Sequence, residues 1–249
     1  MTTTRHAFFP LPLSQPAHLW QKMPISEARH KGISMTDFSA QRVMMVDTQV
    51  RPSDVTKFPI IAAMLAVPRE EFVPAALRET AYMGESLDLG AGRIVMDARV
   101  FAKLLDALDI QPSEQVLDIA CGLGYGAAVI ARLGASVVAV EENADMAAQA
   151  SAVLAAQSVG NASVQTAALT AGVKGQFDVI IIEGGVGQVP AAILKNLNEG
   201  GRIAAVFMQG ALGIAKIGHK SGQDVAWRYA FNASLPVLSG FETATEFAL

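Results

Sequence analysis

The sequence QVLDIACGLGYGAAVIAR, residues 115–132, decides the fold of this chain. It joins an apolar strand, a glycine-rich turn at residues 120–126 and a helix rich in Ala, Val and Ile. A strand that breaks into glycines and restarts as a helix places backbone N–H groups where a nucleotide-like ligand can approach the chain closely. The stretch therefore predicts a binding site for such a ligand.

Strands and helices alternate around this turn. Apolar segments typical of strands lie at residues 116–120, 136–141, 162–167, 177–183 and 202–208, and helical segments lie after the turn, at 143–157 and at 190–197. This alternation predicts an α/β, Rossmann-like fold with a mostly parallel, doubly wound sheet. We expect VAWRYAF and the end of the chain to complete the sheet, and KIGHKSGQD, residues 216–224, to form a turn or lid.

Three acidic residues fall at or near the ends of predicted strands: Asp118, Glu141 and Glu183. Ligands of such sheets bind beyond the carboxyl ends of the strands. Glu141 lies 23 residues after Asp118, at the tip of the second strand, where a carboxylate commonly accepts both ribose hydroxyls. Glu141 is therefore the predicted ribose ligand.

The glycine turn admits two cofactors. Gly122, Gly124 and Ala127 fit the dinucleotide spacing of NAD enzymes, whereas Gly122, Gly124 and Gly126 after Asp118 fit the looser pattern of S-adenosylmethionine enzymes. A dinucleotide fold usually begins with this turn, but here about eighty residues of helix and loop precede it. The position of the turn favours S-adenosyl-L-methionine.

The residues before the turn predict an N-terminal helical extension. Helical patterns cover residues 40–51 and 58–67, and Asp54 is the expected N-cap of the second helix. The segment ESLDLGAGRIVM, residues 85–96, is rich in turn residues and is expected to be a loop. Asp97 is the expected cap of the helix ARVFAKLLDALD.

Composition excludes several classes of function. The 249 residues are 51% hydrophobic, with a net charge of −4, dispersed basic residues and a single cysteine. No stripe of positive charge suits a nucleic acid, and no apolar run is long enough to span a membrane. One cysteine excludes an intrachain disulfide and a cysteine-rich zinc site, so we expect no metal and a cytoplasmic location.

The N-terminal residues differ from the rest of the chain. Residues 1–34 hold three of the four histidines and four prolines, without hydrophobic periodicity, and are expected to be a disordered tail. The remainder, 35–249, is expected to form one domain. Its parts are the N-terminal helices and substrate loop (35–110), the cofactor-binding core (111–208) and the C-terminal strands (209–249).

From about Ser39 onward the chain resembles the protein-L-isoaspartate O-methyltransferases. The resemblance rests on these segments: QVR at 49–51, MLAVPREEFVP at 64–74, AY at 81–82, VLDIACGLGYGAAVIA at 116–131, VEEN at 140–143, FDVIII at 177–182 and VPAAILKNLNEGGRI at 189–203. The VPREEFVP run is the most diagnostic, because general methyltransferases lack it.

The resemblance implies repair chemistry that uses S-adenosyl-L-methionine. Such enzymes methylate the free α-carboxylate of L-isoaspartyl residues in damaged proteins, so that the ester can cyclise through a succinimide. A carboxylate is already an anion at neutral pH, so the in-line displacement needs alignment more than a strong base. The implied partner is a protein or peptide that carries isoaspartyl residues. The sequence leaves the oligomeric state open and favours a monomer.

The chain departs from the family pattern at several positions, four of which belong to the candidate site. In the substrate loop, Met96 stands in place of the family serine and Arg93 in place of a glutamine. Ala168 replaces the aspartate that should hold the adenine amine, and Ala120 replaces the first glycine of the turn. The Ala120 change is mild if φ there is negative. Arg93 could hold a carboxylate bidentately or be a solvated loop charge.

The candidate site follows from the motifs and the resemblance together. The catalytic candidates are Arg93, Met96 and Glu183. The cofactor-binding candidates are Asp118, Ala120, Cys121, Gly122, Gly124, Glu141, Glu142 and Ala168. Cys121 is expected to be a small side chain without thiol chemistry. Glu183 touches the methionyl ammonium or a substrate, or merely ends a strand. Two alternatives remain: a methyltransferase with another acceptor, and a non-catalytic binding module.

Overall fold

The structure is a computed structural model that describes residues 37–243. The predicted disordered tail at 1–34 and the predicted strand at the very end of the chain lie outside these residues. No helix among residues 37–243 combines the length and the apolar character needed to cross a bilayer.

The N-terminal region is helical, as expected, but one predicted cap is wrong. Helix α1 (Phe38–Met45) continues into a π-helical turn (Val46–Val50) and a 3₁₀ turn (Arg51–Ser53), and α2 (Phe58–Ala66) follows. Asp54 does not cap α2. It ends the 3₁₀ turn with φ of 66°, a left-handed conformation that Asp tolerates, and Lys57 precedes α2 instead.

The segment expected to be a loop is a small β-hairpin. Strand β1 (Leu87–Gly90) pairs antiparallel with β2 (Arg93–Val95). Gly90, Ala91 and Gly92 all have positive φ and form the turn between the strands. The two strands are too short to show an alternation of apolar and polar residues, so the three turn residues indicated a loop.

Helix α3 (Ala98–Leu108) begins at Asp97, whose carboxylate accepts a hydrogen bond from the Val100 N–H at 2.9 Å. The predicted cap is confirmed. The opposite end of α3 stops at Asp109, which has φ of 50°.

A seven-stranded sheet forms the centre of the described region, and its parallel part is as predicted. Two 3₁₀ helices, Arg69–Phe72 and Ala75–Thr80, lie between α2 and β1, and the remaining strands and α-helices are β3 (Gln115–Ile119), α4 (Tyr125–Ile130), β4 (Ser136–Glu141), α5 (Ala144–Ala156), β5 (Ala162–Thr166), β6 (Phe177–Val186), α6 (Ala191–Lys195), β7 (Leu197–Gln209), β8 (Leu212–Ser221) and β9 (Asp224–Asn232). The strand order is β5-β4-β3-β6-β7-β8-β9. Strands β5, β4, β3, β6 and β7 run parallel, and β8 and β9 add antiparallel.

The C-terminal strands correct one expectation. Residues 216–221, expected to belong to a turn or lid, lie within β8, and only the short turn around Gly222 separates β8 from β9. The VAWRYAF strand is confirmed within β9. The charged residues of KIGHKSGQD obscured the strand because β8 lies near the edge of the sheet, where one face meets solvent.

Both faces of the parallel sheet are covered by apolar side chains. Val116 and Ile181 belong to a core that the N-terminal helices, α3 and α4 cover. Leu117 and Ile182, their neighbours along the strands, belong to a second core on the opposite face, which includes Phe241. Burial on two faces explains why β3 and β6 read as continuous apolar runs.

Replacing Asp97 by Ala should lower the free energy of unfolding by about 1 kcal/mol, because the N–H of Val100 then loses its side-chain acceptor at the start of α3. Urea denaturation checks this, with the exposed Glu79→Ala as the control variant. Equal stability of the two variants would contradict the capping role.

Candidate active site

The carboxyl ends of three neighbouring strands bring together the three predicted acidic residues. Strand β3 lies between β4 and β6, so Asp118, Glu141 and Glu183 converge at one edge of the sheet. All three side chains are buried. Glu183 lies inside β6, which continues to Val186, so the alternative that it merely ends a strand is wrong.

Asp118 and Glu183 form a buried carboxyl pair. Burial raises the pKa of Asp118 to about 7, and the charge of Glu141 adds to this rise, while the hydrogen bond with Glu183 opposes it. Burial and then Asp118 raise the pKa of Glu183 well above its ordinary value. A proton shared between the two carboxyls relieves their repulsion.

The pair is short of hydrogen-bond donors. Within residues 37–243, no N–H or hydroxyl group donates to either oxygen of Asp118 or to Oε1 of Glu183. The carboxyl of Glu183 packs against Gly126 of α4, and a Cβ atom at that position would collide with it. Gly126 thus lets an acidic side chain lie against a helix, and the oxygens of Asp118 are left available to a cationic ligand group.

The glycine turn bends sharply between β3 and α4. Gly122 and Gly124 have φ of 55° and 88°, and the N–H groups of Ala120 and Cys121 both donate to the carbonyl oxygen of Val140 in β4, at 2.9 and 3.2 Å. Ala120 has φ of 66°. The condition for a mild glycine replacement is therefore not met, because a Cβ atom in this left-handed conformation is strained.

Cys121 is a buried thiol inside the turn. Burial raises its pKa well above the ordinary value, and the charges of Asp118, Glu183 and Glu141 raise it further. A thiolate is the reactive form of cysteine, so this environment suppresses thiol chemistry. The geometry agrees with Cys121 as a small packing residue.

Arg93, at the start of β2, pairs with two glutamates at the end of β4. Its Nε lies 2.9 and 3.1 Å from the two carboxylate oxygens of Glu141, and its Nη2 lies 2.6 Å from Oε1 of Glu142. Arg93 is 2% exposed, so the alternative of a solvated loop charge is wrong. Its carboxylate partner here is an internal one, and its predicted role toward an acceptor stays a prediction.

Glu141 accepts two further hydrogen bonds. The N–H of Gly122 donates to its Oε2 at 3.1 Å, and the N–H of Asn143 donates to its Oε1 at 2.9 Å. The predicted ribose ligand is therefore placed at the glycine turn, as expected, and is held there from three sides.

Met96 and Ala168 occupy the positions where the family pattern has polar side chains. Met96 is buried, so its thioether is enclosed and offers no hydroxyl at the substrate loop. Ala168 lies exposed after β5, and the preceding N–H, that of Ala167, donates to the carbonyl of Glu141 at 3.2 Å. The segment thus lies beside the predicted ribose site without a side-chain acceptor.

Arg69 was not expected to belong to the site. Its side chain is fully buried, donates to the carbonyl oxygens of Ala81 and Met96 at 2.6 and 2.8 Å, and lies 4.8 Å from the ring centroid of Tyr125. Its Nη1 has no acceptor among residues 37–243. The one available signal was a charged residue in the diagnostic VPREEFVP run.

Replacing Ala120 by Gly should raise the free energy of unfolding by about 0.5–1 kcal/mol, because glycine removes left-handed strain that exceeds the extra entropy it adds to the unfolded chain. Thermal or urea denaturation measures the gain. Ala128→Gly, inside α4, is the matched control and should destabilise instead.

Asp118→Asn should flatten the pH dependence of stability. The pKa of Asp118 is about 7 in the folded chain against 3.8 for an unperturbed Asp, so the folded state keeps this proton after the unfolded state has lost it. Stability therefore falls as pH rises from about 4 to about 7. In urea titrations, the free energy of unfolding of Asp118→Asn, relative to the parent protein, should be higher at pH 8 than at pH 4. The same gain in the exposed control Asp224→Asn would contradict the assignment.

Comparison with known proteins places this site in a family. Residues 40–227 match the family model of protein-L-isoaspartate(D-aspartate) O-methyltransferase. Protein-L-isoaspartate O-methyltransferase 1 of Rhodopseudomonas palustris is 35% identical over 185 residues, which cover 73% of this chain and 76% of that protein. Its counterpart in Koribacter versatilis is 35% identical over 171 residues, which cover 68% and 77%.

Two solved structures share the fold. A protein-L-isoaspartate O-methyltransferase superposes with a TM-score of 0.69 at 23% identity and covers 82% of this chain, which spans 66% of that one. A Plasmodium falciparum protein assigned to the same activity, solved in complex with S-adenosyl-L-homocysteine, superposes with a TM-score of 0.69 at 14% identity over 80% of this chain and 98% of its own. These likenesses confirm the methyltransferase fold. Together with the family match and the relatives at 35% identity, they show that the chain belongs to the protein-L-isoaspartate(D-aspartate) O-methyltransferase family.

Proposed function

We propose that this chain transfers a methyl group from S-adenosyl-L-methionine to the free α-carboxylate of L-isoaspartyl residues in damaged proteins. The observation that carries this proposal is Asp118 at the end of β3, beside the glycine turn, in a chain of this family: no N–H or hydroxyl group among residues 37–243 donates to its two buried oxygens. A buried carboxylate without a donor suits a cationic ligand group, and the donor's methionyl ammonium is one.

Several residues at the sheet edge bind different parts of S-adenosyl-L-methionine. Asp118 accepts from the ammonium, and a cation there favours the ionised form of the Asp118–Glu183 pair. The positive φ angles of Gly122 and Gly124 allow close approach to the backbone. Ala168 contributes no acceptor for the adenine amine, which removes about 0.5–1.5 kcal/mol of binding.

The acceptor needs orientation more than proton transfer. When bound, the donor supplies a methyl group activated by a sulfonium, and an acceptor carboxylate attacks it without a base. Met96 offers no hydroxyl to orient that carboxylate. Nη1 of Arg69 has no acceptor among residues 37–243, and its Nη2 donates to the Met96 carbonyl, so we assign Arg69 the positioning of the methyl acceptor. Arg93 could serve the acceptor only by leaving Glu141.

A second candidate changes the acceptor and keeps the donor. The buried thioether of Met96, which cannot donate a hydrogen bond to an isoaspartyl carboxylate, favours a different acceptor, another carboxylate or a small molecule. For either candidate, we propose the cytoplasm as the location, on the basis of the single cysteine, and a monomer as the working state.

The proposal predicts a base-labile methyl ester on an isoaspartyl peptide. We expect incubation with labelled donor to produce this ester, and the same peptide with a normal aspartyl residue to remain unlabelled, because only the isomerised residue presents a free α-carboxylate. Asp118→Ala should lower labelling at limiting donor by more than about tenfold, since the ammonium loses its acceptor.

The contrary outcome is also defined. Absence of ester at high enzyme concentration and saturating donor would contradict the isoaspartyl proposal. Labelling of another carboxylate or of a small molecule under the same conditions would support the second candidate, and failure to bind the donor at all would point to a binding module.

A further inference from the structure

We propose that the β1–β2 hairpin closes the donor site from within. Arg93 occupies the Glu141 carboxylate, and the donor's ribose can bind there only after Arg93 has released it. This inference rests on the proposed function, because it concerns the regulation of the same site. It assigns Arg93 a positioning role that acts through Glu141.

Three N–H groups already donate to the Glu141 carboxylate, and one of them, Nε–H of Arg93, is shared between its two oxygens. A carboxylate offers about four lone-pair sites, two on each oxygen. Oε1 receives Arg93 Nε and the Asn143 N–H, and Oε2 receives the same Nε and the Gly122 N–H. Two ribose hydroxyls would need one site on each oxygen. Of the three donors, only Arg93 can leave without a movement of the backbone, because the other two are the N–H groups of Gly122 and Asn143.

The hairpin also covers the turn sterically. Glu141 is 0% exposed. A Cβ atom placed on Gly122 would lie 2.9 Å from Cδ1 of Leu89 in β1 and 3.9 Å from Cβ of Arg93 in β2. Both strands of the hairpin thus fill the space on that side of the turn, and a ligand there has to displace them.

Glu142 is an alternative ion-pair partner for Arg93. It is the more exposed of the two glutamates, with 41% of its side chain accessible, and it already accepts from Nη2 of Arg93. Arg93 can therefore leave Glu141 while keeping an ionic partner near the surface. This alternative partner lowers the cost of opening, because a guanidinium that left both glutamates would be buried without compensation.

A closed resting state lowers the apparent affinity for the donor. When only a fraction of molecules is open, the apparent Kd rises by the inverse of that fraction. Removing the arginine should therefore strengthen donor binding, the reverse of what removing a ligand-binding residue does. This opposite sign separates the proposed closure from the predicted role of Arg93 in holding a substrate.

The test is calorimetric binding of S-adenosyl-L-homocysteine to the full chain. We expect Arg93→Gln, which retains hydrogen-bonding capacity without the charge, to bind about tenfold more tightly than the parent protein. Arg99→Gln is the matched control, because Arg99 is an exposed arginine on α3, and its affinity should equal that of the parent. Thermal denaturation verifies that each variant is folded.

A second variant tests the same inference if Arg93→Gln does not fold. Leu89→Ala leaves the ion pair in place and removes the half-buried side chain over Gly122, and we expect donor binding to strengthen by about threefold. Hydrogen exchange at residues 93–95 of the parent protein should increase when S-adenosyl-L-homocysteine is added, because the hairpin has to move.

The outcomes distinguish this inference from the proposed function. Equal affinity of the parent and the hairpin variants overturns the closure, even if the isoaspartyl peptide is methylated. Tighter binding by the variants without methyl ester formation supports the closure and contradicts the repair proposal. No binding by any variant at millimolar S-adenosyl-L-homocysteine overturns the closure and the donor assignment together.

Discussion

Three carboxylates buried at one edge of a parallel sheet are the constraint on which this site depends. Asp118, Glu141 and Glu183 cannot all stay ionised in a region that excludes water. The chain meets this constraint in two ways. Burial raises the pKa of both Asp118 and Glu183, Asp118 raises the pKa of Glu183 further, and the two carboxyls can share a proton, while Glu141 is paired with the guanidinium of Arg93. The first arrangement leaves the carboxyl oxygens of Asp118 open to a cation, and the second occupies the carboxylate oxygens of Glu141.

The departures from the family pattern concentrate around this edge. Ala120 holds a strained left-handed conformation within the turn, Met96 removes a hydroxyl, and Ala168 removes an acceptor beside Glu141. Arg93 adds a charge where the family pattern has an uncharged amide. We expect Met96 and Ala168 each to weaken one contact with a ligand, and none of the four changes disturbs the strands that carry the three carboxylates. Family membership and a shift in ligand binding are therefore compatible in one chain.

The sequence predicted the parts of the structure that local pattern determines. Continuous apolar runs indicated the parallel strands, and the Asp97 cap followed from one polar residue ahead of a periodic helix. The β1–β2 hairpin was not predicted because its strands are only four and three residues long, and the Asp54 cap was wrong because Asp54 ends the preceding 3₁₀ turn. The pairing of Arg93 with Glu141 joins residues 48 positions apart, so only the fold could reveal it.

The balance between the two states of Glu141 is decided by its neighbours rather than by the carboxylate itself. In the proposed site, S-adenosyl-L-methionine would gain an ion pair at Asp118 without displacing an N–H or hydroxyl group, because none among the described residues donates to those oxygens. At Glu141 it exchanges a charged guanidinium for two neutral hydroxyls, which is unfavourable unless Arg93 keeps a partner. Glu142 is that partner. The second glutamate of the VEEN motif therefore sets how easily this chain opens, although the ribose itself would contact only the first.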